Sequence, residues 1–162
     1  MIYVITRFDK IHHLGVVVRD LEKSMKTYWE EFGIGPWNVW TYTPPFTRET
    51  TFLGKPVEHK FRIAEALVGS MTVELLMHLE GDTLYKHFLA KNGEGLHHIG
   101  YGTNDIESEL AKFRKAGIGV TQSGKFGKDS YYYLDTEPKF GVVMELVTTN
   151  YNIPPERIYP SA

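Results

Sequence analysis

The sequence predicts an α+β protein built from two βαβββ modules, whose strands join in one curved mixed, largely antiparallel sheet. Three observations carry that reading. First, Ile11-His12-His13-Leu14-Gly15 recurs as Leu96-His97-His98-Ile99-Gly100, a displacement of 85 residues. Second, Arg19-Asp20-Leu21-Glu22 is echoed at the same displacement by Asn104-Asp105-Ile106-Glu107, and each echo opens a helical pattern. Third, each helical pattern is followed by three strand-like runs. A repeat of this kind has to be recognised first, because it sets the whole topology.

Each element has its own local signal. Asp20 and Asp105 are good helix N-caps, since a short carboxylate satisfies the free amides of a first turn. Apolar residues then fall near the 3.6 period at Leu21, Met25, Tyr28 and Phe32, and at Ile106, Leu110, Phe113 and Ala116. Gly33 and Gly117 follow where a left-handed C-terminal cap is wanted. The strand runs are Trp37–Tyr42, Lys60–Val68 and Met71–Met77 in the first copy, and Ile118–Gln122, Ser130–Leu134 and Val142–Val147 in the second. The first module spans about residues 10–78 and the second about 96–149, within a single domain over 1–162. The linker, 79–95, contains a short helix from Thr83 to Lys91, and the proline-bearing tail 150–162 reads as extended surface chain. The repeat is compatible with the modules packing within one chain or exchanging between two.

Composition narrows the classes. Hydrophobic residues at 42% and charged residues at 23% suit a packed globular core. Cysteine is absent, which excludes disulfides and thiolate metal sites and fits a reducing, cytoplasmic setting. The apolar start, residues 1–6, is too short for a signal core or a membrane span. Net charge is −2 with scattered basic residues, so neither nucleic acid nor an anionic membrane is an expected partner. Aromatic residues reach 14% and crowd the stretch from Gly35 to Phe46, where Trp37, Trp40 and Phe46 are candidate substrate-binding residues.

Both copies end on a strand carrying one glutamate among apolar neighbours: Thr72-Val73-Glu74-Leu75-Leu76 and Val143-Met144-Glu145-Leu146-Val147. Alternation puts Glu74 on the face of Thr72 and Leu76, and Glu145 on that of Val143 and Val147. A carboxylate there needs compensation, which a raised pKa, an ion pair or a metal could supply. The histidines discriminate, because His13 and His98 begin equivalent strands. Two imidazoles and two carboxylates make a neutral shell for a divalent cation, and mixed N/O ligation suits Zn, Ni, Co, Mn or Fe(II). The first histidine-to-glutamate interval is the longer one, and its extra length fits in the loop around 42–57. His12 and His97 fall on the opposite strand face and read as structural, while His78 and His87 read as surface residues.

The duplication with its His…Glu…His…Glu order resembles the vicinal oxygen chelate superfamily, which includes glyoxalase I, ring-cleaving dioxygenases, bleomycin-resistance proteins and methylmalonyl-CoA epimerases. The resemblance covers about residues 10–148. It implies that His13, Glu74, His98 and Glu145 ligate a divalent metal, and that the protein is an enzyme working as a homodimer on a small-molecule substrate. Local wording is most similar to methylmalonyl-CoA epimerase, in the stretch Lys86 to Ile99 and in Val57-Glu58-His59. By that likeness Glu145 and Glu58 are the catalytic pair that moves an α-proton. The chain departs from the epimerases at Gly124-Lys125-Phe126-Gly127 and at Leu134 to Lys139, where they carry His-Gly-Lys-Pro and His-Pro-Lys. Alternatives within the same resemblance are a glyoxalase I-type lactoylglutathione lyase, an extradiol-type dioxygenase, and a metal-free binding module of the bleomycin-resistance type.

Overall fold

The computed structural model describes residues 4–150 and 153–161. The first module runs β1 (His13–Val17), α1 (Leu21–Phe32), β2 (Trp37–Tyr42), β3 (Thr47–Phe52), β4 (Lys55–Pro56), β5 (Lys60–Val68) and β6 (Met71–Glu80). Helix α2 (Leu84–Asn92) links it to β7 (Gly95–Thr103), α3 (Ile106–Lys115), β8 (Val120–Phe126), β9 (Asp129–Leu134), the short α4 (Glu137–Phe140) and β10 (Val143–Thr148). Strand β11 (Arg157–Tyr159) follows in the tail.

The expected caps form. The Asp20 carboxylate accepts from the Lys23 amide at 3.0 Å and that of Asp105 from the Ser108 amide at 3.2 Å. Gly33 closes α1 at φ 66°, a left-handed conformation that costs a glycine little. Thr83 caps α2 through its hydroxyl, which accepts from the Lys86 amide.

All the strands form one unclosed mixed sheet in the order β11-β2-β5-β6-β1-β7-β10-β9-β8-β3-β4. Within each module the first and last strands pair in parallel, β1 with β6 and β7 with β10. The modules meet at the antiparallel pair β1–β7, where His13 stands opposite Gly100 and Gly15 opposite His98. They therefore pack against each other within one chain. Helix α1 covers one half of the convex face over Leu21, Met25, Trp37, Val39 and Leu75, and α3 covers the other over Leu110, Phe113, Ile118 and Leu146. The concave face holds a third cluster, including Tyr42, Phe61, Ile63, Leu76, Tyr131, Tyr133 and Val147.

Two segments depart from the sequence expectation. The supposed loop around 42–57 contains the hairpin β3–β4, and β3 pairs with β8 of the other module. The tail is not simply extended surface chain, because Arg157–Tyr159 adds a strand to β2 and gives that edge an ordered partner. Among the described residues no helix is long and apolar enough to cross a membrane.

Candidate metal centre

The parallel pairs carry the four candidate ligands to the middle of the concave face. His13 and His98 are 3% and 0% exposed, and Glu74 and Glu145 only 7% and 4%. The two imidazole Nε2 atoms lie 3.0 Å apart. Glu145 Oε2 is 2.7 Å from His13 Nε2 and 3.4 Å from that of His98, while Glu74 Oε2 lies 3.8 and 3.3 Å from the same atoms. Ligand atoms of His13, Glu74 and His98 all fall within 4.8 Å of one another.

These contacts fit a common cation better than a network of hydrogen bonds. Glu74 Oε2 and Glu145 Oε2 are enclosed, and neither makes a well-aligned hydrogen bond despite the imidazoles beside it. Buried polar atoms without satisfied bonds are costly, and a functional site is a frequent reason for them. Bonds of roughly 2.0–2.2 Å to one ion place ligand atoms about 3 Å apart, close to the spacing seen.

The glycines of the repeat explain how the rings reach each other. A Cβ on Gly15 would lie 1.9 Å from the His98 ring, and one on Gly100 would lie 2.1 Å from the His13 ring. Each module therefore supplies a histidine and leaves room, two residues later, for the histidine of the other. His12 and His97 hold the ligand rings from behind, with each Nδ1 2.9 Å from the Nδ1 of the following histidine. With a ligand Nε2 turned to a metal, its Nδ1–H donates to the neighbour's Nδ1, an arrangement that fixes ring orientation. Burial and the nearby His98 push His97 down to about 3, keeping it neutral and able to accept. Burial also holds His12 below its usual value, with His13 adding to the effect.

Without a cation, protons take up the charge. Burial alone would depress His13, but Glu74 and Glu145 outweigh it and push it up to about 9. His98 is also raised against its burial, chiefly by Glu145. Burial opposes ionisation of Glu145, yet His13 and His98 hold it well below the usual carboxylate range.

The structure brings Trp40 and Phe46 to the concave side and turns Trp37 away. Strand β2 alternates, so Trp40 and Tyr42 face the cavity, whereas Trp37 is wholly buried under α1 with Tyr28. As a substrate-binding candidate Trp37 is therefore corrected to a core residue. Glu58 is not brought to the site either. It is exposed just before β5, while the adjacent His59 turns inward and meets the Tyr131 hydroxyl at 2.9 Å.

Sequence reasoning missed Glu65. It stands opposite Glu74 in the β5–β6 register and lines the aromatic cavity beside the metal centre. Burial, with the Glu74 carboxylate nearby, raises it to about 8. A signal was present: Phe61, Ile63, Glu65 and Leu67 share a strand face, and a turn at Gly69-Ser70 sets Glu65 across from Glu74. Three tyrosines were also missed. Tyr85, Tyr131 and Tyr133 wall the pit over His13, Glu74 and Glu145, and the Tyr85 and Tyr133 hydroxyls are 2.8 Å apart.

Comparisons with known proteins agree with this geometry. The family model described as Glyoxalase/Bleomycin resistance protein/Dioxygenase superfamily matches residues 12–134. The uncharacterized protein YqjC of Bacillus subtilis (strain 168) is 26% identical over 142 residues, covering 85% of this chain and 91% of its own. Hypothetical protein BH1468 from Bacillus halodurans C-125 superposes with a TM-score of 0.68 at 20% identity, over 89% of this chain and 96% of that one. A Streptomyces coelicolor methylmalonyl-CoA epimerase in complex with 2-nitronate-propionyl-CoA gives 0.66 at 25% identity, over 90% and 100%. The methylmalonyl-CoA epimerase from Mycobacterium tuberculosis gives 0.65 at 17%, over 93% and 94%.

Proposed function

Because the chain belongs to the glyoxalase/bleomycin resistance protein/dioxygenase superfamily, we propose that it is a metal-dependent isomerase that moves an α-proton on a carbonyl substrate, in the manner of an epimerase. The observation that carries this reading is the convergence of His13, Glu74, His98 and Glu145 on one buried point open to a cavity. The epimerase likeness supports the reaction class.

The four residues would hold a divalent ion such as Co, Mn, Ni, Zn or Fe(II). When bound, the ion supplies Lewis acidity to two adjacent substrate oxygens and so acidifies the neighbouring C–H. The chain's own residues do the rest. His12 and His97 keep the ligand imidazoles in register. Glu145 lies at the pit wall, where its carboxylate would take the α-proton; inversion then requires a second proton donor to return it to the opposite face of the carbon. Tyr85, Tyr131 and Tyr133 screen the pit from bulk water, which strengthens every electrostatic contact within it.

Metal analysis of the purified protein, followed by hydrogen exchange in D₂O over thioesters and 2-oxo compounds, tests the proposal. Bound metal near one equivalent and metal-dependent washout of an α-hydrogen are expected. Glu145→Gln should lose both, and Glu58→Gln should keep both. Protein that binds no divalent metal, or that exchanges no α-hydrogen when loaded, would overturn the reading. Conversion of a methylglyoxal–glutathione adduct would move the assignment to the lyase alternative.

A further inference from the structure

The space beside the metal centre widens in steps towards the surface. The pit over His13, Glu74 and Glu145 shares Tyr42, Ile63 and Phe126 with a cavity of about 110 Å³. That cavity shares Trp40, Phe46 and Ile153 with a wider outer groove, so these three side chains stand at the boundary between the two. Trp40 and Phe46 belong to the first module. Ile153 comes from the C-terminal tail, outside the repeat and outside the span that the family model matches.

From Ile153 onward the tail is held at several points. Strand β11 pairs with β2, the Glu156 amide donates to the Val39 carbonyl at 2.9 Å, and Arg157 pairs with Glu22 of α1. The Glu156 carboxylate accepts from the amide and the hydroxyl of Thr41 at 2.8 and 3.0 Å. The Trp40 indole N–H is shared between the carbonyls of Ile153 and Pro154, at 3.3 and 3.1 Å. These bonds fix the backbone that carries Ile153 and the ring that stands beside it. On its other side Ile153 packs on the β8–β9 turn, where a Cβ on Gly127 would lie 2.9 Å from Ile153 Cδ1. Gly127, at φ 53°, serves both the turn and the close approach.

We propose, on the reading given above, that Ile153 is a specificity-determining residue, which limits the length of the apolar group that the substrate carries next to its chelated carbonyl. A short alkyl group fills the cavity beside Trp40, Phe46 and Phe126, and a longer one meets Ile153 before it reaches the groove. Glu65 lines the same cavity, and the exposed Lys128 flanks Gly127. A homologous series presents one head group and one kind of chain to both, so neither separates its members.

Calorimetric titration of the metal-loaded protein with 2-oxobutyrate, 2-oxohexanoate and 2-oxooctanoate tests this. Wild-type affinity should rise by about fourfold per methylene from the first acid to the second, as burial of each methylene allows, and should gain no more at the third. Ile153→Ala should open the boundary and raise the ratio of 2-oxooctanoate to 2-oxohexanoate affinity by about tenfold. Ile153→Leu, which conserves volume, should keep the wild-type ratio within about twofold. Glu156→Ala, which frees the tail from Thr41, should shift the ratio in the same direction as Ile153→Ala by a smaller factor. An unchanged ratio in Ile153→Ala, or wild-type affinity that goes on rising to 2-oxooctanoate, would overturn the inference. Hexanol and octanol, which cannot chelate, are titrated into metal-stripped protein and followed by tryptophan fluorescence. The same shift in their ratio in Ile153→Ala sustains the boundary even where metal loading or α-hydrogen exchange fails. Its absence beside normal exchange overturns the boundary alone, so the two proposals fall separately.

Discussion

The two modules follow the same path to the same ligand types, but they differ in the connection between their second and third core strands. Module 2 turns from β8 to β9 through Gly127 and Lys128 alone. Module 1 leaves β2 and makes an extra hairpin before β5, and that hairpin docks on β8 of the other half. The repeated parts are those that build the candidate metal shell: a histidine, a glycine two residues on, and a glutamate on the parallel partner strand. The unrepeated part supplies Phe46 and completes an aromatic cavity on one side of a nearly symmetric centre. Duplication thus accounts for the candidate ligands, and divergence accounts for the aromatic space beside them.

The most severe way to break the symmetric part is to fill its glycines. Gly15→Ala should displace His98, and Gly100→Ala should displace His13, each substitution damaging the ligand of the opposite module. Because the obstructed atoms are packed rings, loss of stoichiometric metal is expected in both, with a stability loss of about 1–3 kcal/mol or more. Metal content and thermal melts measure this, and a Gly15→Ala protein retaining full metal would break the account.

Next in size is the contrast between the two faces of β2. Trp37→Ala should cost about 3–5 kcal/mol in urea unfolding, as expected for a large buried aromatic. Trp40→Ala should cost much less stability and instead weaken ligand binding, since its ring borders open space.

The paired histidines sharpen the comparison further. Removing a partner that orients a metal-bound imidazole typically weakens metal affinity 10–100-fold. His97 packs against Tyr85, Phe88 and Tyr133, whereas His12 is half-buried. Competition with a chromophoric chelator should therefore show a larger loss for His97→Phe than for His12→Phe.

The smallest effect concerns acid. Burial pushes His59 down to about 4 in the folded protein. Between about 6.5 and 4 the unfolded chain binds the extra proton, so stability falls as pH falls through that window. His59→Gln should flatten this part of the pH profile of the urea midpoint.

Much of the fold was legible because its signals are local. Asp20, Asp105 and Gly33 act where capping chemistry placed them, and the bounds of β2 and β5 match the periodic runs. The β3–β8 pairing was not legible, because Thr47-Arg48-Glu49-Thr50-Thr51-Phe52 has no strong apolar face and its partner is distant in sequence. Strand β11 was hidden for the same reason, flanked by prolines and only three residues long. The His and Glu positions could be read from the repeat. Glu58 stands out by local likeness alone, whereas the place of Glu65 across from Glu74 depends on hairpin register, which no signal local to either residue carries.

The docking of β3 on β8 ties the halves together a second time, in addition to the β1–β7 seam. A protein joined at one seam can trade halves with a neighbour by opening a single row of hydrogen bonds. Here an exchanging chain must release two rows at opposite ends of module 2, and the second row is made by a segment encoded in the first half. A nick in the α2 linker should accordingly leave the two fragments associated, each completing a sheet edge that the other lacks.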